Sequence, residues 1–254
     1  MNVLPCIIKN NKILSSEISL LILGQHMKYE CIIFDCDGVL VDSEIIYHVI
    51  GSQELTSCGF PLSVARSIEL FTGVSEQEWP MVVYNEYGKT ISSNELESII
   101  KKIGESLHRD LKMVHGVEKV MDRLVQINVN RCIVSNSTCE DIISALAITG
   151  LDRYFEQELV FDISRVTRGK PDPSIYLYAA DQLGVDPKNC LVVEDSVIGI
   201  RAAKAAGMEV IGFLGGSHAS GKFYVDNIIN ERPTDLASDS LELIEKILLK
   251  LYYA

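Results

Sequence analysis

The sequence predicts an α/β fold, with a Rossmann-like parallel sheet that carries helices on both faces and an inserted all-helical subdomain. Short apolar segments typical of buried strands alternate with segments of helical period over much of the chain. This alternation is typical of βαβ units, in which the strands run parallel. One long interval holds helical segments alone, which predicts the insert.

The predicted strands are short apolar runs. They cover residues 31–34, 131–134, 159–161, 190–193 and 210–213. Helical periodicity predicts helices at residues 117–126, 141–148, 174–183, 198–206 and 241–251, with Gly207 as the C-cap of the fourth. The glycine-containing segment 214–220 is predicted to be a connecting loop, because no helix at P-loop spacing follows it.

The interval 47–111 holds several helical segments and no convincing strand. Capping boxes that start at Ser75 and Ser92 predict helix starts inside it, and Pro80 falls where a missing amide is tolerated. We therefore predict a helical domain of residues 47–111 inserted into a core domain of residues 27–46 and 112–254.

Residues 1–26 precede the first strand as an extension whose role the sequence does not specify. Their apolar run at residues 18–23 is too short to span a bilayer, and the segment lacks a basic start and a small-residue cleavage site. These features favour an appended helix, or a start codon assigned too early, over a targeting segment.

The composition excludes several classes of partner. The chain carries 35 acidic and 23 basic residues, a formal charge of -12, and no cluster of Lys and Arg. This charge repels polyanions, so we expect neither nucleic acid nor an anionic membrane as a partner. The seven cysteines are odd in number, which argues against a disulfide framework, and they include no C-x-x-C pair of the kind that binds zinc. Unpaired cysteines are typical of a reducing compartment, so we predict a cytoplasmic location. A monomer or a small homo-oligomer is expected.

The strongest chemical signal is the acidic run directly after the first predicted strand. Asp35 and Asp37 follow that strand, and Gly38 permits a tight turn. Side chains at the carboxyl ends of parallel strands face the crevice where α/β sheets bind ligands. Taken alone, however, this D-x-D pattern is equally consistent with aspartates that cap and solvate a turn.

Three further polar clusters end the next three predicted strands. Ser135 and Asn136 follow the second strand, with hydroxyl and amide groups suited to phosphate oxygens. Lys170 follows the third strand, and Glu194 and Asp195 follow the fourth with oxygen ligands for a hard divalent cation. Helix capping or a solvated surface position would explain each cluster separately. Because all four clusters end strands of one predicted sheet, we expect them to form one site.

With these motifs in order, residues 30–213 resemble the haloacid dehalogenase-like hydrolases. The segments D-G-V-L-V-D-S-E, G-K-P-D-P and V-V-E-D-S-V-I-G-I-R-A-A-K-A-A-G resemble the beta-phosphoglucomutase-like phosphatase branch, which carries a helical cap after the first motif. The resemblance implies an Mg²⁺-dependent phosphatase. It implies that Asp35 attacks phosphorus to form an aspartyl-phosphate, while Asp37 protonates the leaving oxygen and then activates water.

The resemblance also implies the remaining contacts. Mg²⁺ would be held by Asp35, the backbone carbonyl of Asp37 and Asp195, with Glu194 bound directly or through water. Lys170 would neutralise charge. The phosphate oxygens would be held by Ser135 and the Asn136 amide.

The cap loop implied by the resemblance covers residues 71–76 and includes Thr72 and Gly73 as substrate-binding candidates. In mutase members an arginine follows the corresponding segment and grips a distal phosphate, whereas this chain has Glu76, which would repel one. The family's histidine near the end of the first motif falls at Tyr47, and the neighbouring His48 is interpreted as a core or surface residue.

These departures favour hydrolysis of a small phosphorylated metabolite, a sugar or sugar-acid phosphate. Two alternatives stay open: a beta-phosphoglucomutase-type phosphosugar mutase, and a non-catalytic protein that keeps the fold for regulation. Retention of every charged motif residue counts against the second.

Overall fold

The computed structural model describes residues 27–253, so the expectation for residues 1–26 lies outside the described residues. Within these described residues, six strands form one sheet in the order β3-β2-β1-β4-β5-β6, and every neighbouring pair is parallel. The strands are β1 (Cys31–Phe34), β2 (Asn130–Val134), β3 (Val160–Phe161), β4 (Cys190–Glu194), β5 (Glu209–Phe213) and β6 (Asp235–Ala237). The predicted α/β fold with a parallel sheet is confirmed.

Ten α-helices are described within residues 27–253. They are α1 (Ser43–Ser57), α2 (Val64–Phe71), α3 (Trp79–Tyr87), α4 (Ser93–Asp110), α5 (Val117–Gln126), α6 (Cys139–Thr149), α7 (Ser174–Leu183), α8 (Val197–Ala205), α9 (Lys222–Asn230) and α10 (Ser240–Tyr252). None of them combines the length and apolar character needed to cross a bilayer.

The five predicted strands are present to within one residue at each end, and β6 was missed. β6 has three residues at the edge of the sheet, and two of them are only half-buried. It pairs with β5 through the backbone, from Ile211 opposite Asp235 to Phe213 opposite Ala237. Such a short edge strand has no apolar run for sequence patterning to detect.

Both faces of the sheet are buried, which explains why its strands are continuously apolar. Ile32 and Phe34 of β1 contribute to one hydrophobic cluster, together with side chains from α5, α6 and α10. Cys31 and Ile33 point to the other face, into a cluster that includes side chains from α7, α8 and α9. Parallel backbone pairing, from Cys31 opposite Cys190 to Phe34 opposite Val193, places β1 beside β4, so the loops that follow them leave the sheet together.

Helices α1 to α4 build a third hydrophobic cluster of their own, with Leu55, Phe71, Trp79 and Ile103 among its buried members. The predicted capping contacts are present in this part of the chain. Glu78 accepts a hydrogen bond from the Ser75 amide at 3.1 Å, and Glu95 accepts one from the Ser92 amide at 2.8 Å. The separate cluster supports our proposal of a helical domain at residues 47–111, although α1 begins at Ser43 and crosses that boundary.

The helical insert contacts the core at several places in the described chain, which include Leu107 of α4 against the cluster that contains α5, α6 and α10. Ile68 of α2 packs against the core cluster that contains α8 and α9. In the loop after α2, a Cβ added to Gly73 would lie 4.0 Å from Cγ2 of Ile198 in α8. The loop of residues 71–76 is thereby held over the strand ends.

Candidate active site

The four clusters that end predicted strands meet at one point. Nζ of Lys170 lies 2.6 Å from Oδ1 of Asp35 and 2.6 Å from Oε1 of Glu194. One carboxylate oxygen from each of Asp35, Glu194 and Asp195 lies within 4.8 Å of the others. Since β1 and β4 are neighbours in a parallel sheet, their polar ends leave it at the same edge.

Lys170 is a buried cation between two carboxylates. Nζ also donates to the backbone oxygen of Val134 at 2.9 Å, so all three of its protons have acceptors. Burial alone would lower the pKa of Lys170, but the charges of Asp35 and Glu194 outweigh burial and raise this pKa well above its ordinary value. Lys170 therefore stays positive throughout the physiological range.

Asp35 has one occupied and one available carboxylate oxygen. Oδ1 accepts from Lys170, while Oδ2 accepts no hydrogen bond from any residue in the described part of the chain. Burial raises the pKa of Asp35 well above its ordinary value, and the charges of Glu194 and Asp195 add to that effect while Lys170 opposes it. A buried carboxylate with a free oxygen is poorly solvated and suited to attack an electrophile.

Asp37 is oriented by two hydroxyl groups. Oγ of Ser43 donates to Oδ1 at 2.6 Å, and Oγ of Ser137 donates to Oδ2 at 2.7 Å. Burial raises the pKa of Asp37, and these hydroxyl contacts reduce that rise without cancelling it. The raised pKa favours a protonated Asp37, which is the state required of a general acid.

Gly38 allows the first loop to pass close to Asp195. Its φ is 75°, and a Cβ at this position would lie 2.0 Å from Oδ2 of Asp195. We expect Gly38→Ala to destabilise the protein by more than the roughly 1–2 kcal/mol that a left-handed conformation costs a non-glycine residue.

Gly59→Ala is the matched control for this prediction, because Gly59 has a φ of 89° and nothing within 4 Å of the added Cβ. Urea unfolding of both variants measures the difference. Equal losses of stability in the two variants would show that Asp195 moves aside without penalty.

Ser135 and Asn136 lie beside Lys170 at the end of β2. Ser135 is buried, and its Oγ accepts a hydrogen bond from the amide of Ser137 at 3.1 Å. The Asn136 side chain is bound to the Lys170 backbone: Nδ2 donates to the Lys170 oxygen at 3.2 Å, and Oδ1 accepts from the Lys170 amide at 2.8 Å. A Cβ at Gly169 would lie 2.4 Å from Oδ1 of Asn136, so glycine permits this contact.

The two acids after β4 have different surroundings. Glu194 is fully buried, and both of its oxygens accept two hydrogen bonds: Oε1 from Lys170 and Tyr176, and Oε2 from the amide and hydroxyl of Ser196. A Cβ at Gly199 would lie 1.7 Å from Oε1, so α8 approaches Glu194 as closely as only glycine allows.

Asp195 is held by His218, a residue that the sequence analysis did not identify. Nε2 of His218 lies 3.0 Å from Oδ2 of Asp195 and 2.8 Å from the hydroxyl of Tyr224. Burial would lower the pKa of His218, but Asp195 raises it above its ordinary value. Burial raises the pKa of Asp195 to about 6, and the contact with His218 opposes this rise.

His218 lies in the loop that follows β5, which the sequence analysis predicted only as a glycine-containing connection. Side chains at the carboxyl ends of parallel strands face the ligand-binding crevice, and applying this principle to the fifth predicted strand as well would have selected this loop. Ser43 and Ser137 lie in the segments that follow the first and second predicted strands, but no local sequence pattern indicates their contact with Asp37.

The two candidates in the insert differ in position. The Thr72 hydroxyl donates to the backbone oxygen of Ile68 at 2.6 Å and lies 3.2 Å from Nε2 of His48. His48 is buried, and its Nδ1 lies 3.2 Å from the Ser67 hydroxyl, as expected for an interior histidine. Gly73 has a φ of 74° and lines the cavity described next.

A cavity of about 600 Å³ lies beside Asp37, between the insert and α6. Asp37 and Ser137 line it from the core, and Gly73, Glu76 and Trp79 line it from the insert. This volume is within the range typical of sites for small molecules. A ligand that fills the cavity would contact both Asp37 and the loop of residues 71–76.

Comparisons with known proteins agree with this geometry. A sequence model of the haloacid dehalogenase-like hydrolase family matches residues 32–213. The 6-phosphogluconate phosphatase of Escherichia coli is 30% identical over 192 residues, which cover 75% of this chain and 85% of the relative. The beta-phosphoglucomutase of Bacillus subtilis is 26% identical over 196 residues, which cover 72% of this chain and 82% of the relative.

Among solved structures, a haloacid dehalogenase-like protein of unknown function from Agrobacterium tumefaciens is similar in both fold and sequence. The match has a TM-score of 0.80 and 38% sequence identity, and it covers 87% of this chain and 98% of the other.

Proposed function

The chain belongs to the haloacid dehalogenase-like hydrolase family, and on this premise we propose that it is an Mg²⁺-dependent phosphatase that hydrolyses a small phosphorylated metabolite through an aspartyl-phosphate. One observation carries the proposal. Asp35 accepts a hydrogen bond from the buried Lys170 on one oxygen and keeps the other free, within reach of two further carboxylates. This arrangement combines a nucleophile, a fixed cation and the ligands of a metal.

In the first half-reaction, the free oxygen of Asp35 bonds to phosphorus as the bond from phosphorus to the leaving oxygen breaks. Asp37 gives its proton to that oxygen, so the product leaves as a neutral alcohol. The raised pKa of Asp37 supports this role, because it increases the fraction of protonated Asp37.

In the second half-reaction, Asp37 is ionised and takes a proton from the attacking water. The water oxygen bonds to phosphorus while the bond between phosphorus and Asp35 breaks, which releases phosphate and restores the Asp35 carboxylate. The hydroxyls of Ser43 and Ser137 keep Asp37 in place for both proton transfers.

The main electrostatic obstacle is the approach of the Asp35 carboxylate to an anionic phosphoryl group. Lys170 reduces this repulsion as a positive charge 2.6 Å from Asp35. Ser135 and the amide of Asn136 are proposed to hold phosphoryl oxygens. The Asn136 side chain is engaged with Lys170, so its backbone N–H would be the group that donates.

The residues at this site fit Mg²⁺. The buried carboxylates of Asp35, Glu194 and Asp195 are the hard oxygen ligands that it prefers, and Lys170 balances only part of their charge. We propose that Asp35, the backbone carbonyl of Asp37 and Asp195 hold the ion. Glu194 would act through water, since both of its oxygens are already used. When bound, Mg²⁺ supplies positive charge to the phosphoryl group.

The proposed substrate is a sugar or sugar-acid phosphate, bound with its leaving group in the cavity beside Asp37. The cavity volume and the name of the Escherichia coli relative support this class. Thr72 and Gly73 are proposed to contribute to the substrate-binding loop, Gly73 through the cavity wall and Thr72 by fixing the loop to α2.

A phosphosugar mutase is the alternative, supported by the similarity to a beta-phosphoglucomutase. Glu76 lines the cavity and would repel the second phosphate of a sugar bisphosphate, which favours hydrolysis. Isomerisation of glucose 1-phosphate that depends on a bisphosphate primer would support the mutase instead.

We propose a cytoplasmic location, supported by six cysteines that are all unpaired in the described part of the chain. A monomer or a small homo-oligomer remains our expectation for the assembly.

The proposed function predicts phosphate release from a panel of phosphorylated metabolites in the presence of Mg²⁺, and its loss on addition of a chelator. Restoring Mg²⁺ in excess of the chelator should restore activity. Absence of hydrolysis across the panel, or hydrolysis that the chelator leaves unchanged, would contradict the proposal.

A further inference from the structure

The cavity beside Asp37 is lined by acidic groups without a balancing lysine or arginine. Among its lining residues in the described chain, the acids are Asp37, Glu44, Glu76 and Asp141, and none is Lys or Arg. Two histidines, His48 and His108, and the hydroxyl of Tyr47 complete its ionisable groups. His48 lies 3.6 Å from Glu44, so these two residues belong together as one pair.

Asp37, Glu76 and Asp141 are the cavity acids without an ion pair in the described chain, and Asp37 is assigned to proton transfer, which leaves Glu76 and Asp141. Glu76 is half-buried in the cap loop and receives a hydrogen bond from the Tyr47 hydroxyl at 3.4 Å. Asp141 lies in the first turn of α6 and accepts from the Thr138 hydroxyl at 2.6 Å. Both contacts come from neutral hydroxyl groups, so no side-chain cation in the described chain pairs with either carboxylate.

The charge of Asp141 also acts on Glu76, which lines the same cavity. Burial raises the pKa of Glu76, and the charge of Asp141 raises it further, whereas the Tyr47 hydroxyl opposes the rise. Apolar groups complete much of the wall, with Phe71, Trp79 and Ile148 among them. Such walls keep the local dielectric low and strengthen the field of the acids at a bound leaving group.

This field acts on the leaving group and not on the phosphoryl group, which is bound at the strand ends beside Lys170. Resting on the proposed function, we propose that the substrate is the phosphate ester of an amino sugar or other amino alcohol, whose ammonium group lies between Glu76 and Asp141. Neutral sugar phosphates rank second. Within the broader class proposed above, this inference places sugar-acid phosphates last, as it does bisphosphates, since both bring a second anion into the cavity.

The test uses two pairs of compounds that differ in one charged group. Glucosamine 6-phosphate and glucose 6-phosphate differ by an ammonium in place of a hydroxyl, and sorbitol 6-phosphate and 6-phosphogluconate differ by a hydroxymethyl in place of a carboxylate. Each compound competes with p-nitrophenyl phosphate in the presence of Mg²⁺, at about pH 7 so that most of the amine of glucosamine 6-phosphate is protonated. Competition registers a compound whether or not it is turned over.

We expect sorbitol 6-phosphate to compete at least about tenfold more strongly than 6-phosphogluconate, and glucosamine 6-phosphate several-fold more strongly than glucose 6-phosphate. Glu76→Gln and Asp141→Asn should each bring both ratios closer to one. The control is Glu97→Gln, which removes one charge from an exposed position on α4 and should leave both ratios unchanged.

The outcomes separate this inference from the proposed function. No Mg²⁺-dependent hydrolysis of p-nitrophenyl phosphate would contradict the proposed function itself. If p-nitrophenyl phosphate is hydrolysed, three results would overturn the inference about charge. 6-Phosphogluconate could compete as strongly as sorbitol 6-phosphate or more strongly, or none of the four compounds could compete. The third result is that Glu76→Gln and Asp141→Asn leave both ratios unchanged.

Discussion

Asp35→Asn is expected to lower kcat by about 10⁴-fold or more, because it removes the oxygen that bonds to phosphorus. The fold should persist. Lys170 keeps its contacts with Glu194 and the Val134 oxygen, so no buried cation is left without an acceptor. The wild-type carboxylate is also costly to keep ionised, since burial raises the pKa of Asp35. A neutral amide removes this cost, and the melting temperature should stay the same or rise.

Single-turnover phosphate release and thermal unfolding measure the two parts of this prediction. Asp110→Asn is the control, because it makes the same chemical change at an exposed position paired with Arg109. A folded Asp35→Asn protein with activity near that of the wild type would eliminate Asp35 as the nucleophile.

Lys170→Met is expected to damage both activity and stability. It leaves Asp35 and Glu194 buried without their shared cation, and removal of one partner from a buried ion pair typically costs about 3–5 kcal/mol. Activity should fall by about 10²-fold or more, because the positive charge beside the nucleophile is lost. Both the loss of activity and the loss of stability follow from removal of the charge alone, with the backbone unchanged.

The stability defect of Lys170→Met should depend on pH. The pKa of Asp35 is already raised by burial, and Lys170 is the group that opposes the rise, so its removal raises this pKa further. A carboxylate whose pKa is higher in the folded state than in the unfolded state loses stabilisation as pH rises. The difference in unfolding free energy from the wild type should therefore be smaller at about pH 5 than at about pH 8.

Urea unfolding at both pH values tests this prediction. Lys102→Met is the matched control, since Lys102 pairs with Glu54 at an exposed site in the insert, where solvent screens the pair and little stability should be lost. The account would be contradicted if Lys170→Met loses no more unfolding free energy than Lys102→Met, or if its loss is larger at about pH 5 than at about pH 8.

The sequence predicted the parts of the fold that depend on apolar patterning. Runs such as residues 31–34 and 190–193 are apolar because both faces of their strands are buried, so their positions could be predicted closely. The position of β6 could not be predicted, because backbone pairing with β5 holds this strand in place and two of its three side chains are only partly buried. The meeting of the polar loops at one site could also be predicted, because the carboxyl ends of parallel strands lie at the same edge of the sheet.

Contacts between distant loops could not be predicted from local patterns. His218 is a single histidine in a glycine-containing loop, and its contact with Asp195 depends on how β5 and α9 pack. The hydrogen bonds between the Asn136 side chain and the Lys170 backbone likewise require the chain to pass close to Asn136 at Gly169. The charge of the cavity emerges only when the cap loop faces α6.

The central claim is that Asp35 bonds to phosphorus while the loops after β2, β3 and β4 stabilise the charge. A crystal structure grown with Mg²⁺ and beryllium fluoride tests it most directly, since trifluoroberyllate stands in for the phosphoryl group of an aspartyl-phosphate. We predict a bond from beryllium to Oδ2 of Asp35, with Lys170 and Asp195 on either side. Trifluoroberyllate bonded to another side chain, or bound without a bond to Asp35, would contradict the account.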